Sequence, residues 1–234
     1  MSLNGAIIKM LKPHYVDYIG FADLRSYRDD LAVFGGAIVR GYDSGISIGL
    51  QIPDAIADLV PQRDDPNVSC EYRVHGYDVL NQRLNVTASI VSSFLNRKGH
   101  RTLPIAVADR TNDDDAIPTV SHKMIAHIAG LGWIGKNCLL VTKDHGPRVR
   151  FITILTAAPL KTVDNPLAQQ CHDCEECLKV CPVKAIRGRN FVPGEPREER
   201  FDFRKCQAYF EALKKNRKYA VCGMCLYACP YGKK

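Results

Sequence analysis

Residues 171–182 read CHDCEECLKVCP, which puts Cys171, Cys174, Cys177 and Cys181 at the C-x2-C-x2-C-x3-C-P spacing with which thiolates hold iron–sulfur cubanes. Three thiolates two residues apart wrap three corners of one cluster, while the fourth sits on the turn that follows and faces a neighbouring cluster. Residues 222–230, CGMCLYACP, repeat the last part of that spacing with Cys222, Cys225 and Cys229, and Cys206 supplies the ligand this group lacks. The crossover rule assigns Cys171, Cys174, Cys177 and Cys229 to one [4Fe-4S] cluster and Cys181, Cys206, Cys222 and Cys225 to the other. A pair of four-cysteine zinc sites is the alternative, since C-x2-C pairs also suit tetrahedral zinc; the third cysteine and both Cys-Pro endings speak against it.

Outward from these motifs, the chain has 234 residues, 46% hydrophobic and 24% charged, the composition of an ordinary globular protein. Ten cysteines are too many for disulfides in a reducing compartment, and all but Cys70 and Cys138 follow residue 170. VDNPLAQQ near residue 165 reads as a linker, giving an expected first domain over 1–165 and a cluster domain over 166–234. The longest apolar stretch, FITILTAAPL at 151–160, is too short to span a membrane, and the N-terminus has no secretory pattern, so a cytoplasmic protein is expected. The formal charge of +7 falls to roughly +3 once two clusters are counted. Residues 187–218, with ten Lys or Arg against five acids, form a local basic stretch that suits RNA phosphates, an acidic redox partner or simply a solvated surface.

Upstream, the pattern mixes helices and strands without a regular βαβ repeat, which predicts an α+β fold. Helices are expected over 4–12 and 79–97, the latter because Leu80, Leu84, Ala88, Val91 and Leu95 recur on one face before Gly99. Strands are expected over 16–24, 44–53 and 102–109, and a helix near Thr119 or Ser121 ends at Gly130. CLLVT, the turn DHGP and RVRFITILT read as a β-hairpin. AGLGWIGKN at 129–137 holds the chain's single Trp among glycines, but a helix precedes it and a strand follows, so it is no phosphate-binding fingerprint.

Taken together, GLGWIGKN at 130–137, RVRFITILTAAPL at 148–160, the first cysteine motif, KCQAY at 205–209 and the second cysteine motif resemble the epoxyqueuosine reductases and, more remotely, the corrinoid-dependent reductive dehalogenases. The resemblance implies a nitroreductase-like domain that holds cobalamin, followed by a bacterial-ferredoxin-like domain whose two [4Fe-4S] clusters reduce the cobalt, which then attacks a small electrophilic substrate. It implies that Gly130, Gly132, Trp133, Gly135, Lys136 and Asn137 line the cofactor pocket and that Asp115 donates a proton. His122, Lys123 and Tyr77 are further candidates as proton donors, because a buried pocket can tune their pKa values.

Clusters saturated by four thiolates leave no iron open to substrate, so the cysteine motifs are an electron wire and any catalysis lies upstream. The resemblance implies an external electron donor of ferredoxin or flavodoxin type and a small molecule or a modified nucleoside as substrate. The chain ends four residues after Pro230, where the reductases continue into a helical-repeat domain that helps to hold tRNA; tRNA is therefore disfavoured as substrate. An FMN-dependent reductase on the same fold and a non-enzymatic electron carrier are the alternatives.

Overall fold

The structure is a computed structural model that describes residues 2–107, 118–164 and 166–233. In chain order its strands are β1 (Tyr18–Asp23), β2 (Ser44–Gln51), β3 (Thr102–Ile105), β4 (Trp133–Ile134), β5 (Leu140–Val141) and β6 (Val149–Thr156). Its helices are α1 (Leu3–Leu11), α2 (Arg28–Gly35), α3 (Asp54–Asp58), α4 (Pro66–Arg73), α5 (Val79–Arg97), α6 (His122–Ile128), α7 (Glu176–Lys179), α8 (Phe203–Asn216) and α9 (Met224–Tyr227). Helix and sheet are mixed, as the sequence pattern predicts.

Two compact units interleave along the chain: residues 1–50, 81–132 and 150–167 form the first, and 51–80, 133–149 and 168–234 the second. The chain passes into the cysteine-rich part of the second unit at Leu167, beside the expected linker. That unit also takes in two earlier segments.

The first unit is built on a four-stranded sheet of order β1-β2-β6-β3. β1 and β2 pair antiparallel with Tyr18 opposite Gly49, and β3 and β6 pair antiparallel with Thr102 opposite Thr156. β2 and β6 are buried along almost their whole length, which explains why SGISIGL and VRFITILT carry β-branched and apolar residues on both faces. α5 runs over the expected residues, and its Leu84, Ala88, Val91 and Leu95 are fully buried. Ile125 and Ile128 of α6 pack with Ala22, Leu24 and Leu155 in a core, and the absence of a Cβ at Gly20 and Gly45 lets Ala129, Leu131 and Ile125 approach the sheet closely.

The expected β-hairpin at 138–156 is not formed. Its turn exists, closed by Thr142 N to Gly146 O at 2.8 Å and Gly146 N to Thr142 O at 3.1 Å. The strand before the turn, however, pairs backwards with β4, Trp133 opposite Val141, across the loop Gly135–Leu139, while β6 joins the large sheet. Local turn chemistry is satisfied either way, and the eight-residue β6 gains far more ladder from the large sheet than from a two-residue partner.

Candidate functional site: two cysteine quartets

In the second unit, Cys171, Cys174, Cys177 and Cys229 line one pocket together with Lys136, Asn137, Val141, Pro230 and Tyr231. Cys177 and Cys229 lie 52 positions apart in the chain, yet the fold brings them to a single site. α7 carries Cys177, and the short helix α9 precedes Cys229, whose following proline starts a tight turn at Pro230–Gly232. Burial pushes the Cys177 thiol up to about 12, and the charges of Cys171, Cys229 and Cys174 add to the shift. Cys229 rises to about 11 by burial, against backbone N–H groups of Tyr231 and Gly232 that favour its thiolate.

The remaining ligand candidates gather in the same unit. Burial, then the charges of Cys222 and Cys181, push Cys206 up to about 11. Cys225 is also raised, by burial first and then by the charges of Cys222, Cys206, Cys177 and Cys181, so it lies near cysteines of both motifs. The backbone N–H of Ala185 donates to Cys181 Sγ at 3.3 Å. Thiols with raised pKa values stay protonated at neutral pH unless a cationic core replaces the protons, so loading either quartet releases protons. Among the described residues no three His, Cys, Asp or Glu side chains are grouped to hold a single metal ion.

Two buried polar residues of the glycine-rich segment tie these loops down. Lys136 is 7% exposed, and its Nζ donates to the carbonyl oxygens of His172 at 2.7 Å and Cys174 at 3.2 Å. Asn137 Nδ2 donates to the carbonyl of Cys225 at 3.1 Å, while its Oδ1 accepts from Leu139 N. One residue therefore holds the first cysteine motif and the next holds the second. Gly135 is small because a Cβ there would lie 2.8 Å from Asn137 Oδ1, 2.9 Å from Val141 and 3.6 Å from Cys171 Sγ. Trp133, fully buried, meets the ring of Tyr231 edge-on at 4.7 Å.

Several partners of the quartets carry no sequence signal. Arg63 bonds to Tyr209 of α8 and its charge acts on Cys222. Tyr72 of α4 packs where a Cβ on Gly223 would come within 2.6 Å of its Oη, and Gly223 has φ +72, open to glycine. Arg148, 1% exposed, pairs with Asp54 at 3.2 Å and Asp58 at 2.7 Å and packs against Gly232.

The proton-donor candidates are dispersed. Asp115 lies outside the described residues. His122 sits in the first unit, where Thr153 Oγ1 lies 3.0 Å from Nδ1 and the carbonyl of Ala106 lies 3.2 Å from Nε2. The carbonyl can only accept, so Nε2 carries the proton and Nδ1 accepts from Thr153. Burial lowers His122 to about 4, keeping it neutral at pH 7. Tyr77 belongs to the second unit, its ring edge-on to Tyr72 at 5.5 Å in an apolar cluster with Val60 and Val221. Lys123 lies in the first turn of α6. Gly130, with φ +73, ends that helix, and the carbonyl of Gly132 lies 2.9 Å from His127 Nδ1.

Residues 170–232 match the family model of the 4Fe-4S double cluster binding domain. Epoxyqueuosine reductase of Atelocyanobacterium thalassa is 32% identical over 170 residues, covering 68% of this chain and 48% of that protein. The enzyme of Gloeobacter violaceus is 35% identical over 124 residues, 48% of this chain and 36% of its own length. The chain thus spans about half the length of the first of these relatives and less of the second. Among solved structures, epoxyqueuosine reductase with an epoxyqueuosine-modified tRNA-Tyr stem loop superposes with a TM-score of 0.66 at 22% identity, over 99% of this chain and 65% of the other. A catabolic reductive dehalogenase in complex with 3-bromo-4-hydroxybenzoic acid gives 0.69 at 20% identity, over 94% and 30%. The motif order that resembles the reductases in sequence is thus matched by curated relatives and by a shared fold, and the chain is similar to the epoxyqueuosine reductases over 68% of its length.

Proposed function

We propose that the chain is an iron–sulfur reductase in which Cys171, Cys174, Cys177 and Cys229 hold one [4Fe-4S] cluster and Cys181, Cys206, Cys222 and Cys225 hold a second. The observation that carries this reading is the convergence of Cys229 with the three cysteines of the first motif on one pocket, the crossed arrangement expected of a two-cluster module. When bound, the clusters supply one-electron transfer. The protein holds each with four thiolates, excludes water from Cys177 and Cys229 by burial, and fixes the ligand loops through Lys136 and Asn137. The relatives' name and the solved complex of one reductase with an epoxyqueuosine-modified tRNA stem loop support a modified nucleoside carried on tRNA as the electrophilic substrate, against the expectation that disfavours tRNA.

The resemblance also implies cobalamin as electron acceptor, with a nitroreductase-like first domain to hold it, and FMN as the alternative. The residues expected to line that pocket do not fit the role through their present contacts. Lys136 and Asn137 are spent on the cysteine loops, and Trp133 on Tyr231.

The test is anaerobic purification with iron and sulfide analysis and EPR of the reduced protein. About eight irons per chain and signals of two interacting clusters are expected. A chain with far less iron, or with stoichiometric zinc, sinks the reading. Release of a yellow fluorescent extract on heating would mark the flavin form, and a corrinoid spectrum the cobalamin form.

A further inference from the structure

The basic stretch found in the sequence resolves into two halves of different character. Residues 187–202 hold four arginines and four acids, and these pair with one another: Arg189 with Glu195 and Glu199, Arg197 with Glu198, and Arg200 with Glu195. Residues 203–218, which are α8 and its tail, hold six cations and the single acid Glu211. The whole excess of +5 therefore lies on this one helix and its end.

Arg204, Lys205, Lys214, Lys215 and Lys218 are exposed on it, and no residue of α8 is fully buried. The same helix carries Cys206. Its half-buried side is tied to the second quartet by Cys206 itself and by Tyr209, which Arg63 links to Cys222; Arg217 pairs with Asp64 at 2.7 Å at the far end. A dense positive surface is thus fixed rigidly to the cysteines of one quartet.

Resting on the two-cluster reading above, we infer that the exposed face of α8 is the docking surface for an acidic one-electron carrier protein, and that electrons enter at the cluster held by Cys181, Cys206, Cys222 and Cys225. In the step, the donor's reduced centre loses one electron and this cluster gains one; no bond forms or breaks. Positive charge on the helix raises the encounter rate of a negative donor, and the placement of Cys206 on that helix puts the acceptor beside the contact. An RNA surface would use the same charge but has no need of a cluster ligand on the binding helix.

The experiment uses the cluster-loaded full chain and a reduced, acidic plant-type [2Fe-2S] ferredoxin, followed by stopped flow under anaerobic conditions. The bimolecular rate should fall steeply from about 20 to about 300 mM salt. Combining Lys214→Glu, Lys215→Glu and Lys218→Glu should lower it at least about tenfold at low salt, while iron content and photoreduction by a neutral deazaflavin stay unchanged. The matching three Lys→Gln changes should give an intermediate rate, and they decide the matter with the wild-type salt dependence if the Glu variant loses iron. A rate indifferent to salt and to the variants overturns the inference. So does a wild-type chain that deazaflavin reduces but ferredoxin does not. Loss of affinity for an RNA stem-loop, read by fluorescence anisotropy, with unchanged ferredoxin oxidation would assign the face to RNA instead. A wild-type chain without iron defeats the two-cluster reading itself, a separate outcome.

Discussion

The ammonium nitrogen of Lys136 lies 2.7 Å from the carbonyl oxygen of His172, a hydrogen bond from a buried charge to the residue that follows the first cysteine of the module. His172 has φ +40, so the chain turns there in a conformation that non-glycine residues seldom adopt, and the lysine helps to hold it. The contact gives His172 a purpose in its backbone.

Lys136→Met should keep the packing and lose both bonds. Charge-assisted bonds of this kind are worth about 1.5 to 3 kcal/mol each, so a loss of at least about 2 kcal/mol is expected. Thermal unfolding of the loaded protein measures it, and the release of iron to a chelator should quicken. Lys136→Arg should not restore the wild-type rate, because a planar fork cannot place one nitrogen between two carbonyls as the ammonium does.

Arg148→Ala should destabilise the second unit by about 2 to 3 kcal/mol, since it removes a buried side chain that packs on Gly232 as well as two ion pairs. Asp58→Asn should cost under about 1 kcal/mol, because the Asp58 carboxylate is largely exposed and screened. Urea midpoints of the two variants, side by side, give the comparison; equal losses would contradict the assignment of most of the effect to the arginine.

Gly146→Ala should disturb the turn after Cys229. Gly146 has φ +55, and an added Cβ would press on the backbone of Gly232 and lie 2.6 Å from the carbonyl carbon of Tyr231, with no flexible side chain to give way. The Tyr231 and Gly232 N–H groups favour the Cys229 thiolate, so the expected outcome is a shifted EPR signature from the first cluster along with a stability loss of about 2 kcal/mol or more. Redox titration with EPR detection reads the first effect and thermal unfolding the second.

His122 links stability to pH. Its folded-state pKa, lowered by burial to about 4, lies below the unfolded value near 6.5. Between these values the unfolded chain binds a proton that the folded chain refuses, so stability is fully present above about pH 6.5 and falls as pH drops toward 4, by up to about 3 kcal/mol. His122→Gln should flatten this slope in denaturant titrations at pH 7.5 and 5.

Periodicity made much of the first unit legible. α5 needs only the spacing of Leu84, Ala88, Val91 and Leu95, and the segments of β1 and β2 stand out by β-branched content and alternation. The cysteines were legible because cluster ligation demands fixed local spacing. Long-range pairings were not: nothing local to Asp58 points to Arg148, and nothing local to Tyr72 points to Gly223, since each pair is joined only by the fold. The hairpin at Thr142–Gly146 misleads for a related reason. A turn specifies its own geometry, but the partner of the strand beyond it is chosen by the ladder with more bonds to offer. GLGWIGKN announced a close approach, and the structure gives it to Cys171 and the cysteine loops.

The crossed sharing of cysteines has a consequence for biogenesis. On the proposed assignment one cage awaits Cys229 and the other awaits Cys222 and Cys225, so a nascent polypeptide emerging from the ribosome carries neither in finished form until Cys225 is out, and the first only after Cys229. Delivery of iron and sulfide to either therefore waits on the second cysteine motif, and a premature stop between Cys181 and Cys225 costs the protein two centres at once.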